Sequence, residues 1–436
     1  MLINKNLAEK TDLVILQARR SIAKIKNRQG ELEKNTASAK ALYENAYRIL
    51  FSMKNDLQGS LIDDTLFPHF LLTLSDFAYT HHLLHKCSQA YDIYETLYKE
   101  IIKSVLNLSD ENSFRYEWSV EDYNSIVQSE TYQRILKVSP KYLNILKIKS
   151  DIANELTCLA DSKQKPLPSK ESQDYETKSI EVFQNFQSAL KIYEEVYKIK
   201  EADKKFVQDI VKTMRAIAYI HNRLGRLLSN GLNQEKLKCA LFHYGKALEK
   251  HYEAEEIMAQ EKWGTHPAVL VIRQDIIKVL RNIAYTHNKL GGLKQSSNTE
   301  EALQYHIIAL TIYEELFYIQ GKILCEEHEY TLNNMSDIAC TNNYLAKLNL
   351  QDNPEEALKH YKEAMEKYEK VFEIQKKTLG EKHNKTEKTG ENLERTKVWM
   401  NALYQRIQQT QASSAGVGKR TLPPCHIPPK KRMKLP

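Results

Sequence analysis

The chain has 436 residues, 42% of them hydrophobic, with only 13 glycines and 11 prolines and a formal net charge of +7. That length is more than one simple core organises, and the apolar content excludes a disordered chain. The charge excludes a nucleic-acid-binding body: six basic and no acidic residues follow Ala412, which leaves +1 for the first 411 residues.

Residues 1–60 begin without the apolar run of a signal peptide and read as N-terminal capping helices. Residues 61–160 read as degenerate repeat hairpins with an insertion at Leu108–Lys141. The most apolar stretch, Leu66–Leu74, is broken by Pro68 and His69 and is too short to span a bilayer. Asp161–Asp174, with Pro166 and Pro168, reads as a loop. Residues 175–383 read as the main repeat array. Residues 384–411 read as a polar C-terminal capping helix with Trp399 and Leu403 turned inward. Residues 412–436 hold five of the eleven prolines and no apolar periodicity, and read as a disordered basic tail. Six scattered cysteines without a CxxC pair read as reduced thiols.

Internal repetition carries the fold. Arg215–Gly225 aligns with Arg281–Gly291 and Ser336–Ala346, an earlier copy runs Ser75–Leu84, and a weaker one starts at Ser150. Each clear copy precedes a helix with two small residues and a ring between them on one stripe. These are Ala240, Tyr244 and Ala247, then Ala302, His306 and Ala309, then Ala357, Tyr361 and Ala364. Ala218, Ala284 and Ala339 let the first helix of a pair approach the second, and one such hairpin cannot bury its apolar face alone.

These positions resemble the tetratricopeptide repeat (TPR), with a small residue midway in the first helix and Ala, aromatic, Ala in the second. Ala78 to Ala90 has the standard spacing, whereas Ala218 to Ala240 and the two later pairs are longer. The extra residues are turn-rich: Asn230–Asn233, Gln295–Thr299 and Asn349–Pro354. The long form is similar to kinesin light chain repeats. Glu373–His383 and Gly264–Val269 resemble that family's links, and Thr331–Met335 and Leu280–Ala284 resemble starts of its first helices. The resemblance runs from about Val211 to His383 and implies an all-α, TPR-like α-solenoid of tandem helix-turn-helix repeats that holds protein ligands. It does not imply motor attachment, because the family's N-terminal heptad coiled coil is not evident.

No phosphate loop, HExxH or GxSxG motif occurs, and Gly291-Gly292 reads as a helix end. His81, His82 and His85 supply too few ligands for zinc, and Cys325 with His328 is a lone pair. The chain therefore reads as a non-enzyme without cofactor or metal and without a small-molecule substrate. The expected partner groove lies along the first helices. It takes Lys212, Arg215, Tyr219, Asn222 and Arg223 from one repeat, and Lys278, Arg281, Asn282, Tyr285, Asn288 and Lys289 from the next. Asn333, Asp337 and Asn343 come from the last, beside Ser336, Cys340 and Tyr344. Asparagine can pair with a peptide backbone, Arg and Lys with carboxylates, and Tyr offers a flat surface with a polar tip. The expected ligand is an extended, acidic or carboxylate-bearing peptide.

In the tail, Lys430, Lys431, Arg432 and Lys434 between prolines, with Lys419 and Arg420 upstream, resemble a nuclear localisation signal read by an import receptor. The expectation is a scaffold in cytoplasm or nucleus, without membrane insertion. A Lys-, Ile- and Asn-rich composition beside a eukaryote-style signal also fits a bacterial effector sent to a host nucleus. Two competing readings are a regulator whose tail contacts nucleic-acid phosphates and a helical-repeat enzyme or metal-binding protein.

Overall fold

The computed structural model describes residues 19–31, 33, 36–58, 67–106, 120–129, 132–133, 135–136, 144–164, 173–202, 207–231, 233–261, 267–323 and 326–415. All regular structure among them is helical. The chain divides into two compact units, Met1–Thr286 and His287–Pro436.

The first unit contains α1 (19–31), α2 (Thr36–Gln58), α3 (Phe67–Leu83), α4 (Cys87–Leu106), α5 (Val120–Gln128), α6 (Ile145–Gln164), α7 (Gln173–Glu201), α8 (Val207–Ser229) and α9 (Gln234–Gln260). It also contains most of α10 (Pro267–Lys294). Successive helices pack as antiparallel neighbours, α3 on α4, α6 on α7 and α8 on α9, and each pair stacks on the next. The second unit holds the end of α10 with α11 (Thr299–Ile323), α12 (Glu329–Asn349), α13 (Pro354–Leu379) and α14 (Asn384–Ala415).

The repeated small residues sit where the spacing predicts. Ala218, Ala240, Tyr244 and Ala247 are buried together, and Ala339, Ala364 and Tyr368 form the corresponding cluster in the second unit. A side chain on Gly225 would place its Cβ 2.6 Å from the Tyr244 ring, and one on Gly291 would place it 2.6 Å from His306. His306 thus takes the place that Tyr244 and Tyr361 hold in the neighbouring repeats. This corrects the reading of Gly291-Gly292 as a helix end: α10 continues to Lys294, and Gly291 is there for close approach.

The turn-rich segments are loops, each closed by an asparagine cap. Asn233 accepts from the Lys236 amide (3.1 Å), Asn298 from Glu301 (3.1 Å) and Asn353 from Glu356 (3.2 Å). Only part of the longer spacing is loop, however, because α8 runs on to Ser229 while α3 stops at Leu83, soon after Ala78. The Asp161–Asp174 loop is likewise shorter than expected, because α6 extends to Gln164 and α7 starts at Gln173. In α14, Leu403 is buried and Trp399 packs against Tyr361 (centroids 6.2 Å) with Lys347 above its ring (3.9 Å). The helix ends at Ala415, and the rest of the basic tail lies outside the described residues.

Candidate functional site

The asparagines expected along a groove hold helix to helix. Asn282 Nδ2 donates to Asn222 Oδ1 (2.8 Å), Asn288 Nδ2 to Thr341 Oγ1 (2.7 Å), and the buried Asn343 to Thr396 Oγ1 (2.8 Å). Asn27 donates to Thr80 in the same way (2.8 Å). Thr80, Thr286, Thr341 and Thr396 each satisfy their own hydroxyl on the carbonyl four residues back. Three of these threonines stand in one column of the aligned copies, so the ladder had a sequence signal, a recurring Thr two places after the small alanine. Histidines tie the two helices of a pair together. His221 meets His243 (2.9 Å), His306 meets Asn288 (2.8 Å) and His360 meets Asn342 (2.7 Å).

The expected cations of the first unit carry internal carboxylates. Lys212 pairs with Asp209 (3.4 Å), Lys278 with Asp275 (3.0 Å), and Arg215 reaches the same Asp275 (3.7 Å). Arg223 is ion-paired to Asp161 and lies over the Phe186 and Tyr219 rings. Tyr219 donates to Asp161 (2.6 Å); burial and that bond push its hydroxyl up to about 12. Tyr79, Tyr219 and Tyr285, one column of the repeat, still expose 40–50% of their surface. Arg281 is half-buried. In the second unit Lys289 and Asp337 are half-buried, and Asn333 bonds Glu329.

Between α6 and α8, with α7 as floor, the first unit opens a cleft of about 530 Å³. Lys147, Ser150, Asp151 and Asn154 line it from α6, and Asp209, Lys212 and Thr213 from α8. Lys200, near the end of α7, lies at its base with 8% of its surface exposed. Among the described residues its one hydrogen bond is to Thr213 Oγ1, at 3.3 Å. Burial lowers the pKa of the Lys200 ammonium, Lys212 and Lys147 add to this, and Asp209 and Asp151 oppose it. The other buried lysine of this region, Lys149, has a full counter-ion in Glu195 (2.6 Å). Of the cleft residues, only Lys212 was expected in the partner groove.

Of the N-terminal histidines, His81 packs edge-on against Tyr47 and Phe77. His82 Nδ1 lies 2.8 Å from the Glu155 carboxylate, and that pairing raises the His82 pKa despite burial. His85 forms the α3–α4 turn at φ 57°. Among the described residues no set of three His, Cys, Asp or Glu side chains could hold a metal, and no helix is long and apolar enough to cross a membrane.

No protein-family model matches the chain, and no curated protein matches it. Solved structures do. A kinesin-light-chain-type protein of nearly identical TPR-like repeats from Podosopora anserina is 15% identical over 71% of this chain and 97% of its own, with a TM-score of 0.34. A nuclear import adaptor of S. pombe is 11% identical over 87% and 98%, at 0.39. A circular tandem repeat protein is 12% identical over 93% and 99%, at 0.29. At these scores neither partner nor activity transfers. The helix pairs themselves, with the repeated columns at their interfaces, make this an all-α protein of TPR-like helical repeats.

Proposed function

We propose that the chain is a protein-interaction scaffold that takes an extended peptide over α6 and α8 and fixes one of its carboxylates on Lys200. The observation that carries this reading is the burial of Lys200 under an open cleft with a hydroxyl as its hydrogen-bond partner. A carboxylate 4 Å away gains about 4 kcal/mol at the effective dielectric of a protein surface, against about 1 kcal/mol in water. Lys200 therefore outweighs the exposed, already paired Lys212. The rim carboxylates Asp151 and Asp209 disfavour a dianion, so a glutamate or aspartate side chain suits the cleft better than a phosphate. The exposed Tyr219 and Tyr285 offer flat faces for flanking residues.

The test is a peptide array probed with the full chain, each peptide carrying one central glutamate, glutamine or phosphoserine. Glutamate peptides should bind at least tenfold better than their glutamine forms, and Lys200→Gln should erase the difference. Equal binding of both forms would refute the seat. Removing a buried ammonium should also help the fold: Lys200→Met is expected to gain about 1–3 kcal/mol, seen as a higher melting temperature.

The tail reading stands beside this one. Lys430, Lys431 and Arg432 with their flanking prolines support recognition by an import receptor. Replacing all three by alanine is expected to leave a fluorescent fusion in the cytoplasm; continued nuclear accumulation would contradict it.

A further inference from the structure

A stack of repeats stays soluble when its end hairpins turn polar faces outward. The α1–α2 hairpin does not. Arg20 and Lys24 of α1 pair with Asp76 of α3, Asn27 donates to Thr80, and Glu31 accepts from Tyr79. These residues form the stripe of α1 that faces α3, so the helix period puts Ile22 and Ile25 on the opposite face. There they expose 48% and 57% of their surface. A hollow of about 320 Å³ opens between α1 and α2, lined by Ile22 and Ile49 together with Arg19, Arg48 and Ser52. This face is apolar and basic.

Helix α14, the last among the described residues, carries the complement. Its Thr389, Leu393, Thr396 and Leu403 are buried in the second unit. Opposite them, on one stripe, stand Glu387, Glu391, Glu394 and Val398, all exposed, Val398 by 64%. Glu394 stands two places before Thr396, as Ala284 and Ala339 stand before Thr286 and Thr341. In the earlier repeats that alanine admits a second helix. In α14 the place holds a carboxylate, paired with Lys397 of the same helix (3.3 Å), and no further helix follows among the described residues.

We propose that copies of this chain associate through unlike ends, the basic apolar α1–α2 face of one copy seated on the acidic apolar stripe of α14 in another. Ile22 and Ile25 lose water against Val398, while Arg48 and Arg19 meet Glu387 and Glu391. Two α1–α2 faces would set arginine against arginine, and two α14 stripes glutamate against glutamate, so charge selects the unlike pairing. A contact between unlike surfaces repeats from copy to copy, giving rings where the rotation closes and open chains where it does not. The Lys200 cleft is built from other helices, α6, α7 and α8.

Sedimentation velocity of the full chain at rising concentration tests this. The mass is expected to grow beyond one copy and to fall back at high salt, which screens the charge pairs. Ile22→Lys with Arg48→Glu blocks the α1–α2 face, and Glu391→Arg with Val398→Lys blocks the α14 stripe. All four positions are exposed on helices, so the melting temperature should hold. Each blocked variant is expected to stay monomeric alone. Their 1:1 mixture should give a dimer and nothing larger, because one working face of each kind remains. A wild-type chain that stays monomeric up to its solubility limit, the result expected were residues 1–18 seated on Ile22 and Ile25, would overturn the proposal. So would a blocked variant that still self-associates, or a mixture that forms no dimer.

Discussion

Acidification from pH 7 to pH 4 is expected to destabilise both units through histidines that the fold keeps neutral. Burial lowers His221 and His251 in the first unit, and His306 in the second, to about 4. Each is less than 10% exposed. In the unfolded chain each takes a proton near its ordinary 6.5, so between 6.5 and 4 the unfolded state binds more protons and stability falls as pH falls. A shift of that size corresponds to about 3 kcal/mol for each histidine, fully expressed below pH 4. His82 works in the opposite sense, since its raised pKa adds stability as it protonates. So do Asp76 and Asp151, whose carboxyls burial pushes up. Urea melts at pH 7, 5.5 and 4 should show midpoints dropping across this window. His306→Tyr puts back the ring that Tyr244 and Tyr361 provide in the other repeats and should flatten the response of the second unit. It gives up the bond to Asn288, at a cost of about 1 kcal/mol. Midpoints that stay level from pH 7 to pH 4 would refute the neutral-histidine account.

Tyr244→Ala is expected to cost about 3–5 kcal/mol, the range for emptying a buried aromatic site. The ring is 1% exposed, packs among Ala218, Ala240 and Ala247, fills the gap over Gly225, and its hydroxyl lies 3.2 Å from Ser229. Tyr244→Phe keeps the ring and should lose only about 1 kcal/mol, the worth of one hydrogen bond. From the opposite side, Gly225→Val drives a branched side chain into the ring and should cost about 1–3 kcal/mol by overpacking. Thermal or urea melts of the three variants rank these effects. A Tyr244→Ala loss as small as that of Tyr244→Phe would mean that the ring is not the wedge between α8 and α9.

The packing columns were legible because they are local and periodic. Ala218, Ala284 and Ala339 recur at one offset, as do Tyr244, His306 and Tyr361, and a helix period turns such offsets into a face. Trp399 and Leu403 could be placed inward for the same reason. What was not legible depends on which helix stands opposite. Asn222, Asn288 and Asn343 look like exposed groove residues until Asn282, Thr341 and Thr396 are brought across from other helices. Asp161 reads as loop, and only the fold shows it in the last turn of α6 holding Tyr219 and Arg223. Lys200 is one lysine among many near a helix end, and its burial comes from α6 and α8 closing on either side.

The most direct measurement of the binding account follows the Lys200 side chain by NMR in the lysine-labelled full chain as a capped tripeptide with one central glutamate is added. The account predicts that the Lys200 signal, assigned by its loss in Lys200→Gln, shifts and saturates, and that the glutamine tripeptide leaves it unmoved. A Lys200 signal that stays still while that of the exposed Lys212 moves would contradict it.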